Sequence, residues 1–140
     1  MKATAAVCTA PNKIIFDQVE VREPEGSEIR VKVTAVGICG TDMTAIHGGT
    51  GMFPLIAGHE GAGIVEAVGP EVTRFKVGDR VGITYASCGK CKWCQMGKTS
   101  LCDSYMGNFF GPGRITYKNR QIPNWFAQNS FSNVTLTNEA

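Results

Sequence analysis

The chain has 140 residues, of which 43% are apolar and 19% are charged. This length and composition indicate one globular domain, with at most a small appended lobe. The 14 basic and 12 acidic residues leave a formal net charge of +2, which excludes the strong electrostatic footprint of a protein that binds nucleic acid or a membrane surface. No apolar run approaches the ~18 residues of a membrane helix, and the N-terminus lacks the pattern of a secretory signal. We therefore expect a cytoplasmic protein.

Most of the predicted elements are strands, and the 17 glycines of the sequence are typical of a β-rich fold with many tight turns. Alternating patterns predict strands at residues 14–21 (in two pieces), 28–36, 61–68 and 80–84, and more weakly at 126–137. In the second of these strands, Ile29, Val31, Val33 and Ala35 are expected to face inward.

Two further segments are predicted to form a helix and a loop. A short helix is expected over residues 41–47, with Thr41 as its N-cap and Gly48-Gly49 as its end. Residues 109–121 are polar and aperiodic, and we interpret them as a loop. Outside the motifs considered next, Cys8, Trp93 and Trp125 are interpreted as packing residues and His47 as a surface residue at a helix end.

Four of the six cysteines lie close together, within a lobe at residues 87–103. They are Cys88, Cys91, Cys94 and Cys102, with the spacing Cys-x2-Cys-x2-Cys-x7-Cys. Four converging thiolates with no other nearby ligand are typical of a closed, structural zinc site. An iron–sulfur cluster is a second interpretation, although the bacterial ferredoxin run has a shorter last gap and a proline after the last cysteine. Free or redox-active thiols are the third.

Three segments together resemble the zinc-dependent medium-chain alcohol dehydrogenases. They are Gly-Ile-Cys-Gly-Thr-Asp at residues 37–42, Gly-His-Glu-Gly-Ala-Gly-Ile-Val at 58–65, and the four-cysteine lobe. The resemblance runs from about residue 2 to 137, and the tail at 126–131 is most similar to the aryl-alcohol branch. It implies a mainly β fold: a GroES-like β-barrel catalytic domain over residues 1–140, with the zinc lobe and few short helices. In the family, a Rossmann domain follows and carries the nicotinamide.

The same resemblance implies roles for individual residues. Cys39 and His59 correspond to two ligands of the catalytic zinc, for which alcohol dehydrogenase is the Cys2His example. Glu60 corresponds to an acidic residue behind that zinc, and Asp42 to the carboxylate that orients His59. Thr41 corresponds to the hydroxyl that passes the substrate's proton toward solvent.

The sequence also departs from the family pattern. The third catalytic ligand of the family is a cysteine beyond the lobe, whereas neither cysteine nor histidine follows Cys102. A Gly-x-Gly-x-x-Gly fingerprint is absent as well, so no cofactor-binding residue is assigned. We therefore expect one tightly held zinc in the lobe, a weak or empty catalytic zinc site, and no turnover by these 140 residues alone.

The function implied by the resemblance is oxidation of an alcohol to an aldehyde or ketone. In the complete enzyme, hydride would pass to NAD or NADP held by the missing domain. The alternative is a stand-alone zinc-binding module with a structural or interaction role and no catalysis. The expected partners are small-molecule alcohols or aldehydes, with no nucleic acid and no membrane. Apolar residues around Cys39 and His59 also predict self-association through an uncovered surface.

Overall fold

The computed structural model describes residues 1–140, which form two four-stranded antiparallel sheets. The strands are β1 (Lys2–Ala10), β2 (Lys13–Val21), β3 (Glu28–Val36), β4 (Gly61–Val68), β5 (Arg80–Gly82), β6 (Ile115–Tyr117), β7 (Arg120–Ile122) and β8 (Val134–Asn138). The helices are α1 (Gly40–Ile46), α2 (Lys92–Gln95) and α3 (Tyr105–Phe110), with a 3₁₀ turn at Thr99–Leu101. One sheet has the order β1-β2-β6-β7 and the other β5-β4-β3-β8. The predicted mainly β fold is confirmed.

The two sheets are joined by the chain segment just before β8. The Ala6 N–H donates to Phe131 O at 2.8 Å, and the Asn133 N–H donates to Thr4 O at 3.0 Å. Asn133 O in turn accepts the Val33 N–H of the other sheet at 3.0 Å. This bridge places Val134 and Leu136 of β8 against the inner face of the first sheet, where buried valine, isoleucine and alanine side chains form the main core. Ile29, Val31 and Val65 of β3 and β4 form a smaller cluster of their own.

Strand β3 confirms the predicted range, but its inward face is shorter than expected. Ile29 and Val31 are buried, whereas Val33 is half-buried and Ala35 is exposed. The reason is that β8 pairs only with Glu28–Lys32 of β3. After Val33, whose N–H donates to Asn133 O, the strand lacks a hydrogen-bonded neighbour on that side. The predicted strand at 61–68 matches β4, and the one at 80–84 is shorter, since β5 ends at Gly82.

The prediction of a loop at 109–121 is wrong. This range contains the end of α3, strand β6 and the start of β7. The β6–β7 hairpin turns through Lys118 and Asn119, which both have left-handed φ angles of 47° and 61°. Such a turn is usually marked by glycine, and each strand has only three residues. Its pattern is therefore too brief to stand out in the sequence, although Ile115 and Ile122 are buried.

The predicted strand at 126–137 is also wrong over most of its length, because only its last part, in β8, is a strand. Phe126, Ala127 and Asn129 instead have left-handed φ angles between 49° and 56°. An extended strand is incompatible with that backbone.

Helix α1 begins one residue earlier than predicted, and its N-cap is Cys39 rather than Thr41. The carboxylate of Asp42 accepts the Cys39 N–H at 3.1 Å, which satisfies one of the free donors at the start of the helix. The helix ends as predicted, where Gly48 has a φ angle of +105°. None of the three helices is long and apolar enough to cross a membrane.

Candidate functional site

Two clusters of potential metal ligands are formed in the structure. In the first, the ligand atoms of Cys39, His59 and Glu60 all lie within 4.8 Å of one another. His59 is buried, Cys39 is half-buried and Glu60 is exposed. Three residues that are separated in sequence by up to 21 positions thus meet at one place, which we call the barrel site.

The pairing of β3 with β4 creates the barrel site. Val36, the last residue of β3, lies opposite Gly61, the first residue of β4. Cys39 follows shortly after Val36 and His59 shortly precedes Gly61, so the ends of one strand pair bring both ligands together. Gly37 makes this close approach possible, since its N–H donates to Glu60 O at 3.0 Å and a Cβ atom there would collide with the Glu60 carboxylate.

Asp42 lies behind His59 and is completely buried. Its Oδ1 lies 3.0 Å from His59 Nδ1 and also accepts the Gly58 N–H at 3.0 Å. A carboxylate is only an acceptor, so Nδ1 carries the proton and the Nε2 lone pair is left for a metal ion. This is the arrangement expected of a carboxylate that orients a histidine ligand.

Thr41 lies on the exposed side of the barrel site. Its hydroxyl oxygen is 3.8 Å from Cys39 Sγ, and the residue is open to solvent. Two other polar side chains of this helix do not reach the site. The Thr44 hydroxyl donates to Gly40 O at 3.1 Å within the helix, and His47 is exposed at the end of α1. Of these three residues, Thr41 is the one whose side chain contacts the ligand cluster.

Aromatic side chains that the sequence analysis did not assign to the site surround His59. The ring centroid of Phe126 is 4.6 Å from that of His59, and the centroid of Tyr85 is 6.3 Å away. Phe109 contacts both of these rings, at 5.2 Å from Tyr85 and 4.9 Å from Phe126. The three rings come from separate segments, so no local spacing in the sequence could have indicated this cluster.

The second cluster is the four-cysteine lobe. Its four thiols are free, and their sulfur atoms lie within 4.8 Å of one another. The Sγ atoms of Cys91 and Cys94 are 3.5 Å apart, and those of Cys88 and Cys94 are 3.9 Å apart. A tetrahedral zinc ion with Zn–S bonds of about 2.3 Å requires sulfurs about 3.8 Å apart. The sulfur positions therefore fit a zinc ion.

Backbone groups prepare parts of this cluster to bind a cation. N–H groups of Lys90 and Cys91 donate toward Cys88 and lower the pKa of its thiol to about 6. Hydrogen bonds from the backbone of Asp103 and Cys94 lower the pKa of Cys91. Burial raises the pKa of Cys102 to about 11, so a metal ion must displace the proton of this thiol when it binds.

The barrel site also has a donor set that suits zinc, with one sulfur, one imidazole nitrogen and one carboxylate. It differs from the expected Cys2His set, because the third donor that residues 1–140 place within reach is Glu60. Glu60 cannot at the same time bind as the third ligand and serve as a free acid behind the metal.

Comparison with known proteins agrees with this geometry. The family model described as "Alcohol dehydrogenase GroES-like domain" matches residues 25–124, which include both clusters. The chain belongs to the alcohol dehydrogenase GroES-like domain family. Among curated proteins, alcohol dehydrogenase class-3 of Drosophila melanogaster is 38% identical over 141 residues, covering 94% of this chain.

Solved structures of the family have the same fold. A benzyl alcohol dehydrogenase from Acinetobacter calcoaceticus matches 99% of the chain with a TM-score of 0.86 and 34% identity. An alcohol dehydrogenase zinc-binding domain protein from Burkholderia ambifaria matches with a TM-score of 0.89 and 34% identity. The chain covers 40% of each of these two structures and 37% of the Drosophila protein.

Proposed function

We propose that residues 1–140 form the catalytic domain of a zinc-dependent alcohol dehydrogenase. The observation that carries this proposal is the barrel site, where Cys39, His59 and Glu60 converge and the buried Asp42 holds the His59 ring. In this proposal the four-cysteine lobe at residues 87–103 holds a structural zinc ion. Small-molecule alcohols or aldehydes are the substrates in this proposal, because the similar proteins are alcohol dehydrogenases.

The chemistry is oxidation of an alcohol to an aldehyde or ketone. A zinc ion held by Cys39 and His59, with Glu60 within reach, would act as a Lewis acid on the alcohol oxygen. Asp42 keeps the proton on His59 Nδ1 and so keeps Nε2 available as a ligand atom. Thr41 accepts the hydroxyl proton of the alcohol and passes it to solvent. NAD or NADP, held by a further domain in this proposal, would supply the hydride acceptor for the alcohol carbon.

A cobalt-binding experiment on the chain tests this function. Co²⁺ in excess should fill both clusters, and the barrel site should give its own visible absorption bands. Adding benzyl alcohol should change these bands in the wild-type chain, because a small ligand enters the open coordination position. Cys39→Ala should abolish that change and leave the thiolate bands of the lobe intact.

Cys8→Ala is the matched control for this experiment. Cys8 is a buried cysteine outside both clusters, and its thiol donates to Ala10 O at 3.3 Å. This variant should respond to benzyl alcohol as the wild-type chain does. In the complete enzyme, Cys39→Ala should abolish alcohol oxidation and keep the lobe metal. Loss of the response in both variants, or in neither, would contradict the proposal.

The second candidate function is a zinc-binding module without catalysis. It is favoured by one observation: the ligand set of the lobe is complete, with four sulfurs, whereas the barrel site offers only one sulfur and one imidazole besides a carboxylate. This candidate would be supported if the cobalt absorption bands came from the lobe alone and did not change when benzyl alcohol was added.

A further inference from the structure

Trp125 makes a contact that the proposed chemistry does not use. Its side chain is 2% exposed, and its Nε1–H donates to Asp42 Oδ1 at 2.7 Å. The two residues are 83 positions apart in sequence. The sequence alone indicates only a packing role for Trp125. Packing, however, does not require a hydrogen bond to the carboxylate that holds His59.

The Asp42 carboxylate is held by donors from three separate parts of the chain. Gly58 and His59 donate from the segment before β4, Cys39 from the start of α1, and Trp125 from the segment before β8. The Trp125 bond is the shortest of the four. A buried carboxylate with donors on several sides cannot rotate freely, so its position is fixed before any metal binds.

The backbone after Trp125 is held in a costly conformation. Phe126 and Ala127 have left-handed φ angles of 52° and 56°, which side chains with a Cβ rarely adopt. Asn129 compensates for this, because its amide donates to Ile56 O at 2.8 Å and Pro123 O at 3.0 Å. Its side-chain oxygen accepts the Trp125 N–H at 3.3 Å. The strained backbone is therefore located directly after Trp125, and the hydrogen bonds of Asn129 hold it in the conformation that places the indole beside Asp42.

We infer that Trp125 is a positioning residue of the barrel site. Its indole N–H fixes the Asp42 carboxylate, and the carboxylate in turn fixes the His59 ring with the proton on Nδ1. This inference rests on the proposed function in so far as the ring is positioned to bind a metal. Without the indole N–H, the Asp42 carboxylate should turn away from His59 part of the time, which lets the His59 ring exchange tautomers. Removing a ligand's own hydrogen-bond partner weakens metal binding about 10–100-fold. Because Trp125 acts one step further out, we expect the low end of that range, about 10-fold, at the barrel site.

The test compares Trp125→Phe with Phe110→Leu. The first variant keeps an aromatic ring but removes the N–H. The second changes the packing beside Trp125, whose ring centroid is 5.9 Å from that of Phe110, and keeps the N–H. In the chain whose lobe alone holds zinc, ¹⁵N spectra should show His59 protonated on Nδ1 in the wild type and in Phe110→Leu. The spectra of Trp125→Phe should show a mixture of tautomers.

Zinc titration against a competing chelator, after the lobe is filled, provides the second measurement. Trp125→Phe should weaken zinc binding at the barrel site by the factor above, and Phe110→Leu should stay close to the wild type. In the wild-type chain, the Trp125 Nε1–H should also exchange slowly with solvent, which tests the bond even if Trp125→Phe fails to fold.

Three outcomes would overturn the inference. The first is an unchanged His59 tautomer and zinc affinity in Trp125→Phe, and the second is an equal loss in Phe110→Leu. The third is fast exchange of the Trp125 indole proton in the wild type. If the wild-type chain takes up no zinc at the barrel site, the proposed function fails. The tautomer comparison in the chain whose lobe alone holds zinc still decides the role of Trp125 in that case.

Discussion

Glu28 shows how a single charged side chain can hold distant parts of this chain together. The residue is 8% exposed at the start of β3. Its Oε1 accepts Arg114 Nε at 2.7 Å, and its Oε2 accepts Arg22 Nη1 at 2.7 Å and the Glu25 N–H at 3.0 Å. Arg114 lies just before β6 and Arg22 just after β2, so one carboxylate ties both sheets together.

We predict that Glu28→Gln lowers the free energy of unfolding by about 2 kcal/mol at neutral pH, because charge-assisted hydrogen bonds are lost and the half-buried Arg114 remains without its anion. Glu23→Gln is the control, since Glu23 is exposed and its bond to Arg30 is an ordinary surface ion pair. This variant should change stability by less than about 1 kcal/mol. Urea unfolding at constant pH measures both values, and equal effects would contradict the prediction.

The same carboxylate predicts how stability depends on pH. Burial opposes ionisation of Glu28, but hydrogen bonds from Arg22, the Glu25 N–H and Arg114 outweigh it, and the pKa of Glu28 lies below its usual value. Its stabilisation is therefore fully present above the pKa of the unfolded chain, about 4.3, and is lost as pH falls through the native pKa. The stability difference between wild type and Glu28→Gln should shrink accordingly in acid.

At the scale of elements, the four-cysteine lobe differs from the rest of the fold. It contains α2 and the 3₁₀ turn, and none of the residues of either is buried. A segment with so little buried apolar surface cannot be held by packing, so a bound metal ion must supply most of its folding free energy.

We predict that Cys91→Ser removes zinc from the lobe and unfolds the lobe, while the two sheets remain folded. Amide hydrogen exchange should show loss of protection within residues 87–103 and retained protection in β1–β4. Cys8→Ala should keep both the zinc and the protection. This prediction would be contradicted by iron instead of zinc in the wild-type lobe, or by disulfides among its cysteines. Unfolding of the sheets together with the lobe in Cys91→Ser would also contradict it.

The whole molecule exposes a groove of apolar side chains at the open side of β3. Phe16 is 82% exposed and Ile38 is 73% exposed, and both line this groove together with Val36 and Phe131. The groove lies where β8 no longer covers β3, and it continues to the residue that precedes Cys39. Exposed apolar surfaces of this kind mark places where another surface packs.

We predict concentration-dependent self-association of the 140-residue chain through this groove. Phe16→Ser should reduce it, because most of the exposed aromatic surface is removed. Val77→Ser is the control, since Val77 is 61% exposed but lies outside the groove. Sedimentation velocity over a range of concentrations measures the association. A monomer at all concentrations, or equal effects of both variants, would argue against it.

Much of this structure could be predicted from local sequence. The four-cysteine lobe has all four of its cysteines within residues 87–103, so their spacing alone indicates that the thiols converge. Strands β3 and β4 alternate over eight or nine residues, long enough for the pattern to be recognised. The ligands of the barrel site needed the family resemblance, because a single cysteine and a single histidine are not distinctive by themselves.

The sequence by itself determined the β class, strands β3 and β4 and the four-cysteine lobe, because each depends on neighbours along the chain. Only the tertiary structure decided which distant groups meet. The β6–β7 hairpin depends on pairing with β2, and the exposure of Ala35 depends on where β8 ends. Trp125 reaches Asp42 across 83 residues. Such contacts arise when distant segments pack together in the folded chain, and no short-range pattern in the sequence indicates that packing.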